Sequence, residues 1–334
     1  MANALVAVMA VAAVVYVTFG GADFGAGMIE PLLRRTERER LSAAIAPVWE
    51  ANHVWLVLVA VLSFVGFPRL YVEASIYLHV PLLLILLGIV ARGSAFTFRH
   101  YDPQPGRAFG FAYSLVFRVS SGLTPLFLGI SVAALVDGRL GACSGLSFYA
   151  CYIAPWNTCF GWATGVFVCA LFAFQAASLL AAEHAQGDAQ ALPYMRLSRA
   201  LHLTTIVTGG LVFVSAYGSE SPWLDDFAGS AIGLACVLLA TALLPFVAYS
   251  FHRSRPQLLR VVMAAQTAAI VCGFFAPTFP VLMRMADGDH VKLPEAAAPP
   301  AVLVQLLTAV AVGLCLILPA LAYLIVVYKR RGAA

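Results

Sequence analysis

Residues 159–182 read CFGWATGVFVCALFAFQAASLLAA, an apolar stretch without a charged side chain. A helix needs about 20 mostly apolar residues to cross the hydrocarbon core of a bilayer, so this stretch is long enough to form a membrane span. Eight further stretches of similar character occupy most of the remaining sequence. The predicted spans are residues 4–22, 52–68, 76–95, 108–136, 159–182, 200–217, 228–250, 259–279 and 301–327.

The overall composition leads to the same conclusion. Of the 334 residues, 62% are hydrophobic and 11% are charged, whereas soluble domains contain about 25% charged residues. A soluble protein of this composition could not cover its surface with polar groups. The apolar runs are continuous rather than alternating, so they predict helices and not barrel strands. We therefore expect an all-α integral membrane protein in which residues 1–334 form one membrane domain of about nine transmembrane helices.

The distribution of Lys and Arg predicts the orientation, because cytoplasmic loops carry an excess of these residues. If the N-terminus is outside and the C-terminus is cytoplasmic, fourteen Lys and Arg residues lie on the cytoplasmic side and four lie outside. An even number of spans would place both termini on one side and spoil this alternation. No basic residue precedes the first apolar run, as one would in a signal peptide, so this run is expected to remain a permanent span.

The cysteines and histidines form no recognisable metal motif. None of the seven cysteines belongs to a C-x-x-C pair, and no two of the seven histidines are four residues apart. Cys143 and Cys151 lie in a predicted outside loop, where a disulfide would persist, and Cys159 is a competing partner. His79 and His202 lie within or beside predicted spans, where each is either a packed side chain or a haem ligand. No metal site and no catalytic residue is predicted on this chain.

Polar residues near the membrane are concentrated in three segments, of which the first is GGADFGAG at residues 20–27. Ionisable residues at membrane depth are costly and tend to mark pathways or partners. Each of the glycines would weaken a helix by about 1 kcal/mol, but small residues also let helices or a cofactor approach closely. Asp23 is therefore either a solvated carboxylate at a helix end or a carboxylate held near the inner face of the membrane.

The second segment is PVWEANHVWL at residues 47–56, at the start of the second predicted helix. Glu50 lies near the helix N-terminus, where the helix dipole favours an anion. Glu50 and His53 are three residues apart and share one face of the helix. A carboxylate beside an imidazole can accept and pass protons. The alternative is an interfacial cap, in which Trp49 and Trp55 lie in the aromatic belt and the two titratable groups face water.

The third segment is RGSAFTFR at residues 92–99, which closes the third predicted span. Arg99 is an ordinary anchor at the inner face, but Arg92 lies two turns deeper. The Arg92 side chain either extends to the interface or pairs with Asp23 or Glu50.

Arg118 is a further ionisable residue within a predicted span. Its sequence neighbours are apolar, so the guanidinium needs a carboxylate, a cluster of carbonyl groups or a bound anion. Glu30 and Glu73 are candidate partners, and so is a group on another chain.

The three segments together resemble subunit II of the cytochrome bd-type quinol oxidases. In that family helix 1 ends in D-G-F-D-x-G-V-G, matched by residues 20–27, and P-x-W-D-G-N-x-x-W-L follows, matched by residues 47–56. An F-P pair is matched by residues 67–68, and R-G-x-A-F-x-F-R by residues 92–99. Order and spacing agree over residues 16–100. Beyond them the resemblance is limited to span count, length and topology.

Four departures from the family pattern bear on the candidate site. Gly20 replaces the first Asp, Glu50 replaces the Asp of W-D-G-N, Ala51 replaces the glycine after it, and His53 is unusual in its place. A carboxylate is still present at both key positions, as Asp23 and Glu50. The resemblance is thus compatible with proton conduction in a divergent branch of the family.

The resemblance implies two four-helix bundles and a peripheral ninth helix, here residues 1–136, 159–279 and 301–334. It implies the non-haem subunit II of a quinol:oxygen oxidoreductase, paired with a homologous subunit I that carries the quinol site and haems b and d. Subunit II would support subunit I and contribute to the path that brings cytoplasmic protons to the oxygen site. Some members of the family also hold a structural quinone in subunit II.

On this basis six residues are assigned to a site. The proton-pathway residues are Asp23, Glu50 and His53, and the interface or charge-pairing residues are Trp49, Arg92 and Arg118. The expected partners are subunit I, membrane lipid, quinone and small accessory subunits, without nucleic acid, in the inner membrane of a bacterium. The alternatives are a secondary transporter, in which the buried arginines and the glycine-broken first helix form a substrate site, and a purely structural partner subunit.

Overall fold

The computed structural model describes residues 1–34, 37–38, 41, 52–101, 108–141, 143–182 and 192–331. These ranges are mostly helical. The helices are α1 (Ala2–Ile29), α2 (Asn52–Gly66), α3 (Pro68–Tyr77), α4 (His79–Tyr101), α5 (Ala108–Asp137), α6 (Phe148–Tyr152), α7 (Cys159–Ala182), α8 (Leu192–Gly218), α9 (Pro222–Gly229), α10 (Ala231–Ala242), α11 (Leu244–His252), α12 (Pro256–Phe275), α13 (Leu293–Ala296) and α14 (Pro300–Arg331).

Eight helical stretches in the described ranges are long and apolar enough to cross a membrane. The bent pair α2 and α3 makes nine if it counts as one span. The prediction of an all-α membrane protein with about nine transmembrane helices is therefore confirmed. Each predicted span overlaps one of these stretches, because a helix in lipid must satisfy its own backbone hydrogen bonds and so depends on local sequence.

The second predicted span, residues 52–68, ends earlier in the structure than in the prediction. Helix α2 ends at Gly66, and the chain turns by 110° into α3. Between them Phe67 has a non-helical conformation, with φ −134° and ψ 64°, and Pro68 lies in the first turn of α3. A proline disfavours the helical conformation in the residue before it and lacks a backbone donor. The Phe67-Pro68 pair therefore breaks the helix at this point.

Helix α1 contacts α5, α7 and α12, and its glycines allow a close approach. A Cβ added at Gly25 would lie 1.9 Å from the carbonyl oxygen of Phe172 in α7, and one at Gly27 would lie 2.1 Å from Oγ of Ser121 in α5. The glycines of this segment thus serve helix packing. Both α1 and α5 also contact α7, and the division of the chain into two four-helix bundles stays a prediction.

Gly25→Ala is expected to lower the thermal unfolding midpoint of the protein in detergent. The added methyl group would meet a backbone carbonyl, so α1 and α7 would have to separate, and overpacking of this kind costs about 1–3 kcal/mol. Gly122→Ala in α5 is a matched control, because nothing lies within 4 Å of a Cβ at that position. If both variants unfold at the same temperature as the wild type, the α1–α7 contact is less tight than described.

One end of the helical assembly carries a layer of loops with a small sheet that the sequence did not predict. Strands β1 (Val281–Met283) and β2 (Val291–Lys292) pair antiparallel. Strands this short leave no readable alternation in a sequence. The backbone N–H of Arg284 donates to the carbonyl oxygen of Leu135 at 2.8 Å, which fastens the hairpin to the end of α5.

A disulfide joins Cys143 and Cys151 in the same layer, and the competing partner Cys159 is a free thiol. Leu5, near the start of α1, belongs to the same buried cluster as Leu140 and Met283. The start of α1 and the disulfide-bearing loop therefore lie at the same end of the molecule.

Candidate functional site

A buried ion pair joins α1 and α4. The side chains of Asp23 and Arg92 are 0% and 1% exposed. Nη1 of Arg92 donates to Oδ2 of Asp23 at 2.8 Å, and Nη2 donates to Oδ1 at 2.6 Å and to the Asp23 carbonyl oxygen at 2.8 Å. Bidentate pairing of this kind is strong and directional. Asp23 is thus not a solvated helix-end carboxylate, and Arg92 does not extend to the interface.

The surroundings of the pair complete the coordination of the guanidinium. Nε of Arg92 donates to Oγ of Ser121 in α5 at 3.2 Å. The guanidinium carbon also lies 4.9 Å from the ring centroids of both Phe24 and Phe117, and cation–π contacts of a desolvated arginine contribute about 2 kcal/mol. Removal of one partner from a buried ion pair typically costs about 3–5 kcal/mol. The pair therefore fastens α1, α4 and α5 to each other.

His53 lies at the start of the described part of α2, where its ring is half-buried. It is close enough to Asp23 and Arg92 to interact electrostatically with both. The structure therefore brings three of the six predicted site residues together where α1, α2 and α4 meet. Trp49 and Glu50 lie outside the described residues, so their roles stay predictions.

Arg118 in α5 pairs with Glu30, one of its two predicted candidate partners on this chain. Nη2 of Arg118 lies 3.5 Å from Oε1 of Glu30, and the two side chains are 28% and 5% exposed. The other candidate, Glu73, belongs to α3, which packs against the loop layer through α13. This second ion pair is longer and more accessible than the first.

The two ion pairs are related through the spacing of their carboxylates along α1. Tyr16, Asp23 and Glu30 are seven residues apart along α1, and they are 5%, 0% and 4% exposed. Seven residues make about two helical turns, so the three side chains share one face. That spacing was visible in the sequence. The role of Ser121 was not, because it depends on how α5 packs against α1 and α4.

A second feature is a cavity of about 230 Å³ between α7, α8, α10 and α12. Its walls are mainly aliphatic and aromatic, and they include Trp223 and Phe213. His202 and Gln266 contribute polar groups. Nδ1 of His202 is buried without a hydrogen-bond partner. An apolar cavity with a few polar groups is typical of a small-molecule site.

The other histidine considered as a haem ligand lies elsewhere. Nδ1 of His79, in the first turn of α4, lies 2.8 Å from the carbonyl oxygen of Ile76, and its ring packs edge-on against Tyr152. The ring contact and the hydrogen-bond contact of His79 are those of a side chain at the membrane interface. Within the part of the chain that the structure describes, no three His, Cys, Asp or Glu side chains are grouped so that they could hold a metal ion.

In the described part of the chain, eight or nine apolar helical stretches are held together by buried glycine contacts and an internal ion pair. These features define a polytopic helical membrane protein. Within that class, the chain belongs to the family described as Cytochrome bd terminal oxidase subunit II, whose family model matches residues 1–328. The resemblance based on the three polar segments is thereby confirmed.

Two relatives match shorter stretches of the chain. Cytochrome bd ubiquinol oxidase subunit 2 of Bacillus subtilis (strain 168) is 41% identical over 81 residues, which are 24% of this chain and 24% of that protein. Cytochrome bd-I ubiquinol oxidase subunit 2 of Escherichia coli (strain K12) is 28% identical over 120 residues, 35% of this chain and 31% of that one. These alignments thus span less than a third of either relative.

The fold is similar over nearly the whole length to a chain in the structure of bd oxidase from Geobacillus thermodenitrificans. The TM-score is 0.78, the sequence identity is 18%, and the match covers 98% of each chain. At this identity the likeness concerns the fold alone.

Proposed function

We propose that this chain is the non-haem subunit II of a bd-type quinol:oxygen oxidoreductase. In this role it supports a haem-bearing subunit I and contributes to the delivery of cytoplasmic protons for the reduction of oxygen to water. The observation that carries the proposal is the cluster of Asp23, Arg92 and His53, which unites residues from the three family-like segments. Reduction of oxygen to water consumes protons, so such an enzyme needs polar groups that lead from the cytoplasmic face to the reaction site.

Asp23 and His53 have different parts in the proposed path. The bidentate pair keeps Asp23 anionic, because a guanidinium is always charged in proteins. Asp23 therefore supplies a fixed charge and holds the cluster in place. An imidazole can both accept and release a proton near neutral pH, so His53 passes protons that Glu50, three residues earlier in the sequence, collects.

The proposed orientation has the N-terminus outside and the cytoplasmic face at the opposite end. The support is the disulfide between Cys143 and Cys151, which lies at the same end as the start of α1. Disulfides persist in oxidising compartments outside the cytoplasm. The proposed location is the inner membrane of a bacterium, where the arginine-rich end would face the cytoplasm.

The proposed partner is a homologous subunit I that carries the quinol site and haems b and d, together with membrane lipid and small accessory subunits. Arg92 is too deeply buried in this chain to contact such a partner, since its side chain is 1% exposed in the chain alone. Trp49 is the predicted interface residue that remains a candidate. The cavity beside His202 is the proposed position of a structural quinone, because His202 and Gln266 could donate to its two carbonyl oxygens.

Purification is expected to yield this chain with a second multi-span chain and a haem spectrum, whereas the chain expressed alone should show no haem absorption. The reason is that the resemblance places the haems in subunit I, and that the ring of His79 packs against Tyr152 with its Nδ1 2.8 Å from the carbonyl oxygen of Ile76. A stoichiometric spectrum from this chain alone that disappears in His79→Ala or His202→Ala would contradict the proposal. Quinone extracted from the same complex tests the cavity, and its absence would reject a structural quinone.

The alternatives give different outcomes in the same experiment. A secondary transporter would purify without a haem-bearing partner. A purely structural subunit would purify with one, but substitutions in the Asp23 cluster that preserve assembly would leave the rate of oxygen reduction unchanged.

A further inference from the structure

The face of α1 that carries Tyr16, Asp23 and Glu30 continues past the cluster to the end of the helix. Glu30 follows the last residue of α1, and its rise along the axis from Asp23 is about 10 Å. Its side chain is 5% exposed. A buried carboxylate at the edge of a membrane is costly, and such residues tend to mark a pathway.

A strip of polar side chains, formed by Arg118 and Ser121 of α5, lies beside α1 between the two carboxylates of this face. Arg118 contacts Glu30, and Ser121 lies one turn further along α5. Oγ of Ser121 accepts the hydrogen bond from Nε of Arg92, whose other nitrogens hold Asp23. Ser121 reaches this position because Gly27 has no side chain between the two carboxylates.

The two ends of the strip differ in their access to water. At the Asp23 end, both members of the Asp23–Arg92 pair are at most 1% exposed, and the carboxylate is held by both terminal nitrogens of the guanidinium. At the Glu30 end the side chain of Arg118 is 28% exposed, so Glu30 lies one side chain away from solvent. Of the two carboxylates, only Glu30 is thus in a position to exchange protons with water.

We propose that Glu30 is a proton-uptake residue that feeds the Asp23 cluster through Ser121, on a route separate from Glu50. This inference rests on the proposed function in proton delivery. A proton from water binds a carboxylate oxygen of Glu30, and Arg118 compensates the anion whenever Glu30 is deprotonated. The new O–H bond breaks when the proton passes to the hydroxyl oxygen of Ser121. Ser121 in turn releases its own proton to a ring nitrogen of His53, where an N–H bond forms, and Glu30 returns to its anionic form.

The charged groups around Glu30 come from several elements. Helix α5 contributes Arg118, which contacts Glu30. Further along the same face, α4 contributes Arg92 and α2 contributes His53 near Asp23. Helix α12, which packs against α1, carries Arg260 in its second turn, and α7 carries no charged residue. Glu30 and Asp23 are the acidic side chains of α1 and its terminal turn. Positive charge therefore predominates along this face of α1, and it stabilises the anionic form of the Glu30 carboxylate.

The test compares Glu30→Gln with Glu30→Asp in the purified complex, with oxygen consumption measured across a range of pH. Glu30→Gln is expected to slow turnover about tenfold, and Glu30→Asp to retain most of the rate because it keeps the acid. The loss of turnover rate in Glu30→Gln should grow as the pH rises, since the uptake of protons from water then becomes limiting. Glu37→Gln is the matched control at the same end, because that carboxylate accepts a hydrogen bond from the backbone N–H of Arg34 and does not belong to the strip.

A Glu30→Gln, Arg118→Gln double variant removes both charges together and covers the case in which the single variant does not assemble. It should be equally slow with normal haem content. Wild-type turnover at every pH in either variant would overturn the inference. If Glu50→Gln is slow while the Glu30 variants are normal, proton delivery runs through Glu50 alone. If none of them is slow, the proposed proton-delivery function fails as well.

Discussion

Arg92→Ala is expected to cause the largest loss of stability of any substitution considered for this protein. It would leave the fully buried Asp23 carboxylate without its counter-charge, which typically costs about 3–5 kcal/mol. Ser121 would lose its contact with Nε, and the rings of Phe24 and Phe117 would border an empty space. The complex should then unfold at a lower temperature and lose haem or dissociate. Thermal unfolding and haem content of the purified complex measure both effects.

Two companion variants separate charge from geometry. Arg92→Lys keeps the positive charge but cannot form the bidentate contact, so it should be intermediate. An Asp23→Asn, Arg92→Gln double variant removes both charges and should be milder than Arg92→Ala, because no unpaired charge remains. Full haem content and unchanged thermal stability in Arg92→Ala would show that the pair does not hold α1 and α4 together.

Glu50→Gln is expected to have the largest effect on activity without a loss of assembly. A proton relay needs a group that can both take up and release a proton, and an amide cannot do this. Oxygen reduction by the purified complex should therefore slow markedly, while haem content and quinol binding remain normal. Glu50→Asp should retain much more activity, because it keeps the acid and shortens the side chain by only one methylene group.

The opposite ranking would identify Glu50 as an interfacial cap. A cap depends on size and hydrogen bonding, so Gln would then be the milder change and Asp the more damaging one. His53→Gln is a useful companion, because His53 lies close to Asp23 and Arg92 and is the proposed recipient of the proton. Normal turnover in both Glu50→Gln and His53→Gln would reject a relay along α2.

Much of the candidate site could be predicted, but its internal geometry could not. The three family-like segments identified Asp23, His53 and Arg92 as residues of interest from their types and their depth in the predicted spans. Their mutual contacts were left open, since Arg92 had three possible environments in the sequence. The structure selects one of them because Gly25 and Gly27 let α1 pack closely against α7 and α5. The seven-residue spacing from Asp23 to Glu30 was visible in the sequence, but it acquires a meaning only when Arg118 and Ser121 are placed beside it.

The sequence by itself determined the membrane class and the number and approximate limits of the spans. The physical reason is that each helix in lipid must be apolar over about 20 residues and must satisfy its own backbone, which are local requirements. Only the tertiary structure decided that Arg92 pairs with Asp23, that Arg118 pairs with Glu30, and that the chain turns by 110° after α2. These features depend on distances between helices that are far apart in the chain, and such distances are set by side-chain packing that no single span encodes.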